Sequence, residues 1–202
     1  MTDWDADGSR LRANLEAVFK DISLWSEKRG KVSIATIKRW HQKTIAGLSV
    51  PDPKFVGRFR GELGLENEPV YIGRHRGTKA SLVAGEVGAF VKRLQAISGR
   101  LDKLLPRGGR LDRDRLEASI ELAAWTHSEW IRIHPFCNGN GRTARMLANA
   151  MLMRYGLPPV LRLRPRPTSP YGQAGAHGMK GNSKPMETLI RGLLKNFPKE
   201  DA

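Results

Sequence analysis

Residues 133–145 read IHPFCNGNGRTAR and gather one histidine, two asparagines, two glycines and two arginines directly before MLANAMLM, a run with the composition of a buried helix. A helix start leaves its first N–H groups without partners inside the helix, and the helix dipole adds partial positive charge there. Gly139 and Gly141 carry no side chains to block a ligand's approach to those N–H groups. The result is a nest suited to phosphate oxygens. Arg142 and Arg145 are three residues apart, hence on one helix face, and can fork onto further phosphates. His134 stands across the loop, where its imidazole can serve as a general base. A base beside a phosphate cradle is the minimum equipment for nucleotidyl or phosphoryl transfer. The spacing is not that of a P-loop: no Gly-Lys-Ser/Thr follows and no strand precedes.

The elements that must position these groups read mostly as helix. Leu11, Leu15, Val18, Phe19, Ile22 and Trp25 recur at three- and four-residue spacing and predict an amphipathic helix ended by Arg29 and Gly30. Ser33 is placed to cap a second helix carrying Ile34, Ile37 and Trp40. The prolines and glycines of GLSVPDPKFVG break the pattern. Residues 54–73 predict a small β-hairpin, two strand-like pieces around a polar glycine-containing turn. A third helix is marked by Val83, Val87, Phe90, Val91, Leu94 and Ile97, and SGRLDKLLPRGGRLDRD reads as the loop after it. Leu116, Ile120, Ala123, His127 and Trp130 mark a fourth helix; a fifth begins inside the motif and runs to Tyr155. After the proline-rich GLPPVLRLRPRPTSP, Met186, Leu189, Ile190, Leu193 and Leu194 predict a last helix. The class is α-dominated with one hairpin, and there is no internal repeat.

Composition bounds the function. The 202 residues suffice for one domain with a real core, and no stretch approaches the length of apolar sequence a membrane span needs. The opening residues MTDWDADGSR are acidic and lead into no signal-peptide core. One cysteine, Cys137, excludes an internal disulfide framework, so the expectation is a cytoplasmic protein of a reducing compartment. The net charge of +15 suggests an acidic partner: nucleic acid, nucleotide phosphates or an anionic protein surface.

HPFCNGNGR followed by TAR resembles the core motif of Fic proteins, His-Pro-Phe-x-(Asp/Glu)-Gly-Asn-Gly-Arg-x-x-Arg, and departs from it at one fixed position. GRFRGE with VYIG resembles the approach to the family's flap hairpin, AAWTHSEWIRIHPF the helix that delivers the motif, and YGQAGAHGMKGN the tail. The resemblance implies an all-α Fic fold, a helical bundle with a small β-hairpin flap, over residues 33–197 behind an N-terminal helix over 1–32. It implies transfer of AMP from ATP to a Ser, Thr or Tyr hydroxyl of a target protein, with His134 taking the hydroxyl proton and Phe136 anchoring the loop. Gly139, Gly141 and Asn140 would hold phosphates, Arg142 and Arg145 the outer ones. The flap around Val70, Tyr71 and Ile72 would pair with a target segment as an added strand. The departure is Asn138, where the family carries an acid that holds Mg²⁺ against the nucleotide; an amide oxygen brings no negative charge.

Other readings stand beside this one. His127 and His41 read as core or supporting residues, His177 as surface, and Cys137 as a buried inert thiol. VSIATIKRWHQKTIAGLSVP has the superficial look of a basic helix-turn-helix DNA-binding module. A transferase with another nucleotide donor, or a pseudo-enzyme that only binds nucleotide, follows from Asn138. Many Fic proteins are restrained by a glutamate that pairs with the second motif arginine. The near match here is Ser183 to Glu187, and the alternatives are a separate antitoxin-like chain supplying that glutamate or no such control.

Overall fold

The structure, a computed structural model, describes residues 8–72, 75–109 and 111–198. Residues 1–7 of the expected N-terminal segment, Gly73 of the expected hairpin and Arg110 of the expected loop lie outside the described residues. Among the described residues there are seven α-helices: α1 (Gly8–Glu27), α2 (Ile34–Ile45), α3 (Ala80–Leu104), α4 (Arg113–Ile133), α5 (Asn140–Arg154), α6 (Tyr171–Gly178) and α7 (Lys184–Lys195). Strands β1 (Tyr71–Ile72) and β2 (His75–Arg76) pair antiparallel, Tyr71 opposite Arg76 and Ile72 opposite His75.

The apolar run after the motif becomes the centre of the molecule. Every residue from Arg142 to Leu152 is buried, the polar Arg142, Thr143, Arg145 and Asn149 included. α4 packs along one side of α5 and α1 along another; α4 in turn carries α3, α6 and α7. Leu11, Leu15, Val18 and Ile22 place α1 in the same core as α4 and α5. The motif loop is the connection inside this central α4–α5 hairpin, so packing on several sides fixes its two ends.

Local chemistry sets the boundaries. Ser33 Oγ accepts from the Thr36 N–H 3.1 Å away, which caps α2 as expected. Arg29 turns left-handed after α1, and Gly30 N–H closes on Trp25 O. Asn149 in α5 donates to Leu161 O and accepts from Leu161 N–H, pinning the proline-rich segment to the core.

Four expectations are corrected. Residues 54–73 do not form the hairpin: Pro53–Phe55 is a 3₁₀ turn, Phe59 bridges only to Phe136, and the hairpin is Tyr71–Arg76. Left-handed Gly57, Gly61 and Gly64 break any extended run there while Phe59, Arg60 and Leu65 are buried one by one. The expected loop after Ile97 is helical to Leu104, with Ser98 Oγ bonded to Leu94 O and Asp102 paired with Arg154. α6 lies within the tail, where no helix was expected. The helix-turn-helix segment holds a single helix whose Ile37, Trp40, His41 and Thr44 are spent on the core.

Candidate active site

α4 ends at His134, which takes the left-handed conformation (φ 51°, ψ 57°) while its N–H still reaches Trp130 O. A non-glycine residue held there stores about 1 kcal/mol of strain, a cost found where surrounding contacts fix the backbone. Those contacts centre on Arg60. Its Nε and Nη2 both donate to His134 O, at 2.9 and 2.8 Å, and its guanidinium also reaches Ile133 O, Glu68 O and Thr78 O. Arg60 is 1% exposed, and its own N–H donates to Pro135 O. One cation thus ties the end of α4 to the chain on both sides of the flap.

The His134 side chain hydrogen-bonds Ile131 O through Nδ1 at 3.1 Å. A carbonyl only accepts, so Nδ1 carries the proton and Nε2 is the bare nitrogen. Burial, helped by Arg60 and opposed by the Ile131 bond, lowers its pKa to about 4. The imidazole is therefore neutral at pH 7, which a general base requires.

The rest of the loop is closed on itself. Phe136 is fully buried and stacks on His41 at 3.7 Å between ring centroids. His41 Nδ1 accepts from Gly57 N–H, so Nε2–H donates to Asn138 O. Desolvation, with a smaller push from Arg142, lowers the His41 pKa to about 4 and keeps that neutral arrangement. Asn140 accepts from Phe136 N–H and donates to Phe136 O. Both polar atoms of its side chain hold the loop, which leaves its backbone N–H at the start of α5 for an anion. Gly139 turns left-handed (φ 77°), and a Cβ there would lie 3.0 Å from His41 Nε2.

His134, Asn138, Gly139, Asn140, Gly141, Arg142 and Arg145 line one cleft of about 860 Å³. Val70, Tyr71 and Ile72 form part of its rim, and α6 supplies Tyr171, Gly172 and Gly175. The structure thus brings all the sequence-predicted site residues together. Arg142 is 7% exposed and Arg145 3%. Arg145 donates to Tyr171 Oη and Leu163 O. Glu187 lies elsewhere: its carboxylate bonds Ser183 Oγ and Lys184 Nζ on α7, and the pairing with Arg145 expected of an inhibitory glutamate does not form. Cys137 is inert, its thiol pushed up to about 12 mainly by burial. Sequence reasoning missed Arg60 and Tyr171.

Mg²⁺ finds a poor fit among these side chains. Asn138 Oδ1 accepts from Gly139 N–H at 2.6 Å, and among the described residues no three His, Cys, Asp or Glu side chains cluster to hold a metal. The motif offers two amide oxygens, those of Asn138 and Asn140, both already in use, and no carboxylate, whereas Mg²⁺ selects carboxylate and phosphate oxygens.

A basic-walled cleft at the start of a buried helix, entered by a neutral histidine, defines an anion-binding, proton-accepting site on a helical bundle. The Fic/DOC family profile matches residues 31–152, and the chain belongs to that family. It is 31% identical over 144 residues to protein adenylyltransferase fic-1 of Caenorhabditis elegans, covering 71% of this chain and 23% of that protein. It is 62% identical over 42 residues to protein adenylyltransferase Fic of Nematostella vectensis, covering 21% of this chain and 10% of that one. The chain thus spans about a quarter or less of the length of these curated relatives. A Fic domain-containing signaling protein of Bacteroides thetaiotaomicron shares the fold with a TM-score of 0.66 at 19% identity, covering 93% of this chain and 69% of that one. Among the described residues no helix is long and apolar enough to cross a membrane.

Proposed function

We propose that this chain is a protein adenylyltransferase, moving AMP from ATP to a hydroxyl side chain of a target protein. The observation that carries the reading is His134, whose Nδ1–H is spent on Ile131 O, which leaves Nε2 bare, and which lines the same cleft as Arg142 and Arg145. In the reaction, Nε2 takes the proton of the target hydroxyl as its oxygen bonds to the α-phosphorus of ATP. The bond to the β-phosphate bridge breaks, and pyrophosphate leaves with that electron pair. The N–H groups of Asn140 and Gly141, presented by the left-handed turn at Gly139, and the guanidinium groups of Arg142 and Arg145 hold the phosphates. A target segment adds as a strand beside β1, aimed by Val70, Tyr71 and Ile72.

The Fic domain occupies 33–197 behind the N-terminal helix, the setting is cytoplasmic, and the chain acts as a toxin or effector. With Glu187 not on Arg145, restraint is supplied by a separate antitoxin-like chain or is absent. Asn138 supports a second reading, in which the amide favours another nucleotide donor or a nucleotide-binding pseudo-enzyme. Labelled ATP, UTP and GTP, each incubated with cell lysate with and without Mg²⁺ or Mn²⁺, separate these readings. Label from ATP should enter protein, and His134→Ala should reduce that transfer by about 10²–10⁴-fold while nucleotide still binds. Undiminished labelling by the mutant would refute the assignment. Label from UTP or GTP alone would select another donor, and binding without labelling the pseudo-enzyme.

A further inference from the structure

Arg145 is held by a tyrosine rather than by an acid. Its Nη1 donates to Tyr171 Oη at 3.0 Å, and its guanidinium carbon stands 5.4 Å from the Tyr171 ring centroid. Nη2 donates to Leu163 O at 2.9 Å. The same phenol oxygen lies 2.8 Å from Nε2 of His127, whose ring is fully buried on α4. All three residues line the cleft. Nothing in the chemistry of phosphate binding calls for the histidine or the tyrosine at these positions, yet the three side chains come from α4, α5 and α6 and meet at one oxygen.

The protons can be assigned. Arg145 only donates, so Tyr171 Oη accepts from it. If the phenol proton goes to His127 Nε2, the imidazole is the Nδ1–H tautomer and only the buried Nδ1–H is left without a partner. The opposite tautomer would leave both the phenol proton and the Nδ1 lone pair unused. Burial first and Arg145 second lower the His127 pKa to about 3, so the acceptor persists at neutral pH. The phenol is thus oriented at both ends, by the imidazole that takes its proton and the guanidinium that gives it one.

We propose that Tyr171 is a positioning residue, whose hydroxyl, oriented by His127, fixes the guanidinium of Arg145 for the outer phosphates of a nucleoside triphosphate. The inference rests on the phosphate-binding part of the function proposed above. A carboxylate in the same place would fix Arg145 equally well but would cancel its charge. A neutral phenol fixes the geometry and leaves the cation whole for an anion. Arg145 also keeps N–H donors beyond the two spent on Tyr171 and Leu163, since a guanidinium carries five.

The test uses the full chain and Tyr171→Phe, which keeps the ring, its packing and the cation–π contact and deletes one oxygen. Calorimetry with inorganic tripolyphosphate should show about tenfold weaker binding, the scale of one charge-assisted hydrogen bond, with adenosine binding unchanged. In an Arg145→Lys background the same change should cost nothing further, because the fork it positions is gone. Equal losses for tripolyphosphate and adenosine, or full additivity with Arg145→Lys, would overturn the proposal. So would a wild-type chain that binds no tripolyphosphate. Nitrogen-15 spectra of wild-type His127 should show the Nδ1–H tautomer from about pH 5 to pH 8; an Nε2–H tautomer would overturn the relay with no ligand involved. A chain with these properties that transfers no AMP would end the transferase reading alone.

Discussion

The motif loop and the flap face each other across one cleft and are built on opposite plans. In the loop, Asn140, His41 and Arg60 turn their polar atoms onto backbone groups of residues 133–138, and Phe136 is fully buried. The flap is two strands of two residues, closed at its base by Gly77 N–H on Val70 O, with Tyr71 63% exposed. Within the two-stranded sheet β1 pairs only with β2, which leaves its outer edge open to a further strand. The chemistry half is fixed before any ligand arrives, as preorganised proton transfer and anion binding require. In the proposed transfer the flap would engage a target through main-chain groups, which would accept many target sequences.

The loop's rigidity has a weakness in acid. His41, His127 and His134 fold with pKa values lowered from the ordinary 6.5 to about 4, 3 and 4, each mainly by burial. Below 6.5 the unfolded chain therefore binds more protons than the folded one, and stability falls as pH drops. Each histidine removes about 1.4 kcal/mol per pH unit until its folded pKa is reached. Urea midpoints should fall steadily from pH 7 to pH 5, and a flat profile would show that these imidazoles are not buried neutral. Transfer by the remaining folded protein should hold its rate until His134 itself protonates near pH 4.

Arg60→Met is the next largest effect. It removes the cation from four carbonyl oxygens, those of Glu68, Thr78, Ile133 and His134, and should cost about 3 kcal/mol. Because the left-handed His134 depends on that clamp, transfer should fall by more than the loss of folded protein explains. A variant that loses stability but keeps its full rate per folded molecule would separate the clamp from the catalytic geometry.

Arg60 also marks the limit of what the sequence could say. The central helix was legible because MLANAMLM is apolar on every face, and Ser33 because its cap is local. The motif residues were legible because their spacing along one loop and helix start dictates their grouping. Arg60, in GRFRGE, carries no sequence signal of its role, since its four carbonyl partners are contributed by segments up to 74 residues away. Tyr171 was hidden for the same reason, its partners lying on α4 and α5, and α6 has eight residues, three of them glycine, too few for a periodic pattern. The hairpin was misplaced because burial of single residues between left-handed glycines imitates strand alternation. The loop-closing part of Asn140 was not legible, because a polar side chain at a helix start suits an anion and a loop closure equally well.

The flap should respond in the reverse way to the clamp. Ile72→Pro removes a main-chain donor and prevents a further strand from pairing smoothly, so KM for the target protein should rise about tenfold. Tm should barely move, because the hairpin adds nothing to the core, and ATP affinity should be unchanged. Tyr71→Ala keeps the main chain and should have a smaller effect on KM. Equal effects from the two substitutions would mean that the flap recognises side chains, and the contrast between a specific and a permissive half would fail.

The smallest effect is expected at Asn138, within the loop, where one atom separates the residue present from the family's acid. Asn138→Asp is nearly isosteric and adds an anionic oxygen facing the phosphates that Arg142 and Arg145 are proposed to hold. With Mg²⁺ present, nucleotide affinity should rise about threefold, because the ion gains a carboxylate in place of an amide. Without the ion the new charge repels the phosphates, so the gain should vanish or reverse in EDTA. A general change in stability would act alike in both conditions and cannot produce that reversal. The substitution also tests how tightly the loop is closed, since Asn138 Oδ1 now accepts from Gly139 N–H. A carboxylate satisfies the same donor, so unfolding midpoints of the two proteins should agree, and only the metal dependence of nucleotide binding should separate them. If a Mg²⁺ titration of nucleotide affinity gives the same curve for both, residue 138 does not face the nucleotide phosphates.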